Sequence, residues 1–125
     1  MADKGGIFEK LSRPPEHARH EHLRAWVQSI EGAIPIDQVE ARRRCKVAGV
    51  IKTIRIDPRQ GSGSIEAALI DGSGHILARW LGRPRMAGIR LGMGLILEGT
   101  VCLDADGEKM ILNPEYQLVA NPEHA

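Results

Sequence analysis

The sequence has few aromatic side chains and almost no net charge. Its 125 residues include two tryptophans, one tyrosine and one phenylalanine. Stacking many bases of a single nucleic-acid strand needs several exposed rings, so a long stacking platform is disfavoured. The 17 basic and 16 acidic residues give a formal charge of +1. This balance excludes a protein whose whole surface is cationic.

Cysteines and long apolar runs are also scarce. Cys45 and Cys102 lack the spacings of zinc or redox motifs. The apolar run before Glu98 is far shorter than the roughly 18 residues of a membrane span. The first residues lack the basic start and apolar stretch of a signal peptide. These absences predict a cytoplasmic protein with reduced thiols and no membrane partner.

Motifs of catalysis and metal binding are missing as well. Gly61-Ser62-Gly63 is too short for a phosphate-cradling loop, and no lysine follows it. His17, His20 and His22 do not share one face of a helix, and no cysteine lies near them in the sequence. We therefore expect no enzyme activity, no catalytic residues, no metal site and no cofactor.

The length of the chain allows one domain with a helical extension. In residues 1–41, the apolar residues Leu23, Trp26, Val27 and Ile30 follow the helical spacing i, i+3, i+4, i+7. This pattern predicts an amphipathic helix over about 16–31. Residues 42–119 form the predicted barrel, and residues 120–125 are a C-terminal tail.

Residues 42–119 are rich in glycine turns and in alternating apolar residues, which favours short strands. A phase change beside Gly49 predicts a bulge in the first strand, and Asn113-Pro114 interrupts the last strand before a continuation over 116–119. The predicted strands cover 45–56, 64–70, 75–81, 94–103 and 109–112.

A bulged first strand and a longest connection between strands three and four are typical of a mainly β, five-stranded Greek-key barrel, the OB-fold. An N-terminal α-helix precedes it here. A small SH3-like barrel is the structural alternative, because its strand lengths and spacings are similar. Cys45 begins the first predicted strand and Cys102 ends the fourth. In an OB-fold these two strands are antiparallel neighbours, which predicts neighbouring thiols.

Several short motifs lie between Arg42 and Val119. They are Asp71-Gly72-Ser73-Gly74, Trp80-Leu81-Gly82-Arg83, Met86-Ala87-Gly88-Ile89, Gly92, Glu98-Gly99 and Asn113-Pro114-Glu115-Tyr116. In these motifs the stretch resembles a family of small bacterial proteins described as OB-fold nucleic-acid-binding. More distantly it resembles the wedge-type OB domain of DNA branch-migration helicases and the anticodon-type OB domain of some synthetases. The resemblance implies the fold, and nucleic-acid binding as the function.

The charges are unevenly distributed along the chain. Residues 1–41 carry five basic and seven acidic side chains, a net of −2, whereas residues 42–119 carry twelve and eight, a net of +4. Most of these basic residues are arginines, which pair with phosphate through two parallel hydrogen bonds. OB-folds bind oligonucleotides across strands two and three and the adjacent loops. The predicted nucleic-acid-binding residues are therefore Arg55, Arg59, Gln60, Arg79, Trp80, Arg83 and Arg85.

Two functions remain open at this point. The first is weak, phosphate-led binding of single-stranded DNA or RNA, in which case the arginines converge on one groove; otherwise they form only a solvated face. The second is a protein-interaction module without nucleic acid, acting through the barrel or through the helix of Trp26, as a homodimer or with another partner. The phase of Trp80 with Ile76 and Ala78 favours a core position over base stacking. Trp26 either docks the helix on the barrel or meets a partner chain.

Overall fold

The computed structural model describes residues 15–57, 63–82 and 86–122, with side chains from residue 21 onward. This part of the chain contains one α-helix, α1 (Pro15–Gln28), a 3₁₀ turn (Ile36–Gln38) and six strands. None of its helices has the length and hydropathy of a membrane span. The strands are β1 (Arg44–Asp57), β2 (Ser64–Ile70), β3 (His75–Leu81), β4 (Gly94–Leu103), β5 (Lys109–Leu112) and β6 (Glu115–Val119).

Five of these strands close into a ring, because β1 pairs with both β2 and β4. The order around the ring is β1-β2-β3-β5-β4 and back to β1. The β3–β5 pair is parallel, and the other pairs are antiparallel. This is the topology of the OB-fold barrel, so the predicted fold is confirmed over the SH3-like alternative.

The predicted break in the last strand is confirmed. β5 pairs with the end of β4, from Val101 to Leu103, and β6 pairs with its beginning, from Gly94 to Glu98. Asn113 adopts a φ of 50°, and Pro114 has no N–H to offer to a ladder. The chain therefore bends at these two residues and continues along the same edge of β4.

The bulge in β1 lies three residues beyond its predicted position. The register between β1 and β2 shifts between Ile51 and Thr53, which leaves Lys52 as the extra residue. Gly49 is needed for a different reason, since a Cβ at this position would collide with the backbone carbonyl of Ile70. Here β1 passes from its pairing with β4 to its pairing with β2, and the backbones approach closely.

The interior of the barrel is filled by alternate residues of each strand. In β2 and β3 every second side chain is buried, as the period of a strand requires. Trp80 belongs to this core with 2% of its surface exposed. The largest fully buried side chains are Ile36, Ile51, Ile65, Leu69, Ile76, Leu95, Leu97, Ile111, Val47 and Val101.

Helix α1 packs on the outside of the barrel. It ends at Gln28, earlier than predicted, and buries Leu23, Trp26 and Val27 against Ala48 of β1. Trp26 is 7% exposed. Its ring therefore packs within the chain, which confirms docking on the barrel. Contact of this helix with a partner chain stays a prediction.

The turn between β2 and β3 anchors the segment that follows the helix. Asp71 is the one buried charged residue in the described part of the chain, at 2% exposure. One of its oxygens accepts a hydrogen bond from the backbone N–H of Ile36, at 2.9 Å. The other accepts bonds from the N–H and hydroxyl of Ser73 and the N–H of Gly74, at 2.8, 2.7 and 3.1 Å. The carboxylate therefore fixes both the tight turn and the 3₁₀ turn to the barrel.

The predicted proximity of the two thiols is wrong. β1 and β4 do pair, but Cys45 lies opposite Gly99, three residues before Cys102. Because successive side chains of a strand point to opposite faces, Gly99 and Cys102 lie on different faces of β4. Both cysteines are free.

Candidate nucleic-acid interface

The outer face of the sheet formed by the second half of β1, β2 and β3 carries a row of alternating charges. The register places Arg55 of β1 opposite Glu66 of β2, and Glu66 opposite Arg79 of β3. The three side chains line an open groove of about 450 Å³. The remaining residues that line this groove are Ile56, Asp57, Ser64 and Leu81.

The two arginines share the carboxylate of Glu66. Nη2 of Arg79 donates to Oε1 of Glu66 at 2.6 Å, and Nη1 of Arg55 lies 3.7 Å from Oε2. The side chains are 36% exposed for Arg79, 82% for Arg55 and only 12% for Glu66. The Arg79 side chain is therefore held against the neighbouring strand β2, whereas the guanidinium of Arg55 extends into solvent.

The described lining of the groove is formally neutral. Arg55 and Arg79 contribute two positive charges, and Asp57 and Glu66 contribute two negative ones. The register sets Asp57 opposite Ser64, and Ser64 opposite Leu81. The ends of β1 and β3 therefore lie at the same end of the groove.

Four predicted site residues lie outside the described residues. Arg59 and Gln60 belong to the segment that follows β1, and Arg83 and Arg85 belong to the segment that follows β3. The last described residues before these segments in the two strands, Asp57 and Leu81, lie at the same end of the groove. Their contribution to the groove stays a prediction.

Aliphatic side chains surround the arginines of this face. Leu112 of β5 pairs with Arg79 in the register and is 43% exposed, and Leu81 is 49% exposed. Ile56 is 59% exposed at the end of β1. The described lining includes no aromatic ring, so the face offers aliphatic contacts and guanidinium planes to a ligand.

Trp80 does not belong to this face. Its indole N–H donates to the carbonyl oxygen of Pro114 at 3.2 Å, and its ring meets that of Tyr116 edge-on, with centroids 5.3 Å apart and planes at 71°. With 2% exposure the ring has no open side for a base. Its inclusion among the nucleic-acid-binding residues is corrected, because its phase in β3 is that of the core.

The three consecutive arginines at the start of β1, Arg42, Arg43 and Arg44, lie elsewhere. Arg44 donates to Glu98 and to Glu115, both at 3.2 Å, and these hydrogen bonds raise the pKa of Arg44. Arg43 pairs with Glu40 at 3.0 Å. These arginines sit beside β4 and β6, so they do not extend the row on β1, β2 and β3.

Glu66 was not among the residues predicted from the sequence, although the sequence contains a signal for its position. Ile70 and His75 flank the Asp71–Gly74 turn and pair with each other. From this turn the antiparallel register follows, and it sets Glu66 opposite Arg79. Glu66 also has the outward phase, since Ile65 and Ala67 point inward.

No protein-family model and no curated protein matches the chain. Among solved structures it is similar to RecG in a structure with a three-way DNA junction, at 19% identity and a TM-score of 0.54. This match covers 76% of the chain but only 14% of RecG. A second similarity is to a Replication Protein A heterotrimer bound to single-stranded DNA, with 15% identity, a TM-score of 0.50 and coverage of 82% and 80%.

A third similarity, to yeast Stn1 and Ten1, has 19% identity, a TM-score of 0.48 and coverage of 65% and 45%. The match to RecG agrees with the distant resemblance to a wedge-type OB domain that the sequence motifs indicate. Topology and similarity lead to one conclusion: the chain is an OB-fold domain with a helical N-terminal extension.

Proposed function

We propose that this chain is a binding protein, not an enzyme, and that it binds single-stranded nucleic acid weakly through phosphate. The observation that carries the proposal is the pair of arginines, Arg55 and Arg79, on one outer face of β1, β2 and β3. The solved structures of RecG and Replication Protein A, both with DNA, support it by similarity of fold.

The two arginines differ in what they offer to a phosphate. Arg55 is 82% exposed and lies 3.7 Å from its carboxylate partner, so a phosphate oxygen can replace that weak contact at little cost. Arg79 is held at 2.6 Å and presents its remaining donors in a fixed direction. We infer that Arg55 makes the first contact and that Arg79 orients the strand.

Base recognition contributes little in this proposal. Leu81 and Leu112 give aliphatic contact to sugars and base faces, and no ring of the described lining stacks. Phosphate contacts fix position without reading sequence. The expected binding is therefore strongly salt-dependent and nearly indifferent to base composition.

The proposal is tested by fluorescence anisotropy with labelled single-stranded DNA and RNA at about 50 mM salt. The variant R55A/R79A is compared with R43A/R90A, which removes the same charge from exposed arginines outside the groove. We expect about a ten-fold or larger loss for the first pair and little loss for the second. Equal losses in both variants, or no binding by the wild type, would contradict the proposal.

The segments beyond the groove need a separate variant. R59A/R83A/R85A removes the three arginines that follow β1 and β3. If they add positive charge to the groove, this variant weakens binding. The slope of log affinity against log salt concentration then decreases in magnitude by about one per lost contact. Unchanged affinity would restrict the interface to the strands.

A protein partner is the second candidate for the same face. Ile56, Leu81 and Leu112 are exposed around a formally neutral groove, a composition that also suits a protein interface. Light scattering over a range of concentrations tests self-association. A mass that rises with concentration and returns to that of a monomer in L81D/L112D would favour this candidate.

A further inference from the structure

Glu66 occupies the centre of the groove and is the only charged residue of β2. On the same face of that strand its neighbours two residues away are Ser64 and Ala68, both uncharged. Its side chain is 12% exposed and lies between Arg55 and Arg79. Because the side chain is largely buried and accepts a hydrogen bond from Arg79 at 2.6 Å, we expect it to remain in the groove when a ligand binds.

We propose that Glu66, the acid that lies between the two arginines, limits phosphate affinity on this face, an inference that rests on the proposed function. A phosphate that contacts either guanidinium comes within several ångströms of the carboxylate, and like charges at that distance repel each other. The carboxylate also neutralises half of the positive charge that the two arginines supply. Glu66 thus keeps the binding weak and makes it depend on Arg55, the arginine that it holds less closely.

A positioning role for Glu66 makes the opposite prediction. If its charge were needed to aim Arg79 at the ligand, removing that charge would weaken binding. The substitution Glu66→Gln separates the two roles, because glutamine keeps the size of the side chain and an oxygen that accepts from Arg79 but carries no charge. Thermal unfolding of the variant shows whether the fold is retained.

Glu98 provides the matched control. It is also a strand glutamate hydrogen-bonded to an arginine, Arg44, but it lies on β4 outside the groove. E66Q and E98Q change the net charge of the protein by the same amount. Any difference between them in binding therefore comes from the position of the charge.

The experiment measures anisotropy with a labelled single-stranded oligonucleotide from about 50 to 200 mM salt. We expect E66Q to bind about three- to ten-fold more tightly than the wild type at the lowest salt, with a steeper salt dependence. E98Q is expected to change affinity less than about two-fold. Equal effects of the two substitutions, or weaker binding by E66Q, would overturn the inference.

The outcomes also separate this inference from the proposed function. If the wild type binds and loses affinity in R55A/R79A, but E66Q behaves like E98Q, only the role of Glu66 is wrong. If neither the wild type nor E66Q binds, the proposed function fails and the inference fails with it.

Discussion

The indole N–H of Trp80 donates a hydrogen bond to the carbonyl oxygen of Pro114, which joins β3 to the break between β5 and β6. The ring of Tyr116 packs edge-on against the same indole. Two of the motifs on which the family resemblance rests, Trp80-Leu81-Gly82-Arg83 and Asn113-Pro114-Glu115-Tyr116, therefore meet in space. Their aromatic residues form a structural junction of the barrel.

Replacing Trp80 by phenylalanine removes the indole N–H and part of the buried ring. We expect the free energy of unfolding to fall by about 2 kcal/mol, from the lost volume and the unpaired carbonyl of Pro114. Urea unfolding measures this change. Nucleic-acid affinity at low salt is expected to stay the same, and a folded W80F with strongly weakened binding would restore Trp80 to the interface.

Asp71→Ala leaves the donors of Ile36, Ser73 and Gly74 without their buried acceptor. The expected loss of stability is about 3 kcal/mol, measured by chemical unfolding. Asp106→Ala, in the exposed turn between β4 and β5, is the control and should change stability by less than about 0.5 kcal/mol. Similar losses in both variants would show that the Asp71 carboxylate does not anchor the 3₁₀ turn.

Gly49 and Gly94 differ in what surrounds them. A Cβ at Gly49 would meet the backbone of Ile70, whereas a Cβ at Gly94 would meet the side chains of Trp26 and Pro122, each at 3.0 Å. Side chains yield more easily than backbone, so Gly49→Ala should cost more stability than Gly94→Ala, by about 1 kcal/mol or more. Gly94→Ala should also shift the emission of Trp26, and the reverse order of stability would contradict this account of β1.

Partial burial raises the pKa of the Cys45 thiol above its ordinary value of 9.0. Less thiolate is then present at pH 8, so alkylation by iodoacetamide should be slower than for a simple thiol. The folded state favours the neutral thiol. Its contribution to the free energy of unfolding is therefore fully present below pH 9 and decreases as the pH rises through the raised pKa. Mass spectrometry of a Cys102→Ser variant measures the rate, and a rate equal to that of a free thiol would refute the shift.

Alternation of apolar residues was sufficient to locate the strands and the break at Asn113 and Pro114, because burial on one face imposes a period of two. It misplaced the bulge. The alternation of buried and exposed residues in β1 is irregular from Gly49 to Thr53, so it does not point to one bulged residue. The pairing with β2 makes Lys52 the extra residue. Local pattern alone does not include that pairing.

The row of Arg55, Glu66 and Arg79 also could be predicted only in part from local sequence. The β2–β3 turn specifies the pairing of Glu66 with Arg79, so this pair was predictable. The rest of the row depends on the bulge, which shifts the register of β1 by one residue and brings Arg55 to the same face. Likewise, Arg44 binds Glu98 and Glu115, which are 54 and 71 residues away along the sequence. No local motif predicts contacts at such separations.

Strand β1 serves two surfaces in succession. Its first half, with Ala48, lies under α1, and its second half, with Arg55, forms one wall of the groove. At about 3.3 Å per residue, these two positions are separated by roughly 20 Å along the strand. Substitutions under the helix and in the groove should therefore be additive in free energy. Weakening or labelling the helix is expected to leave binding in the groove unchanged.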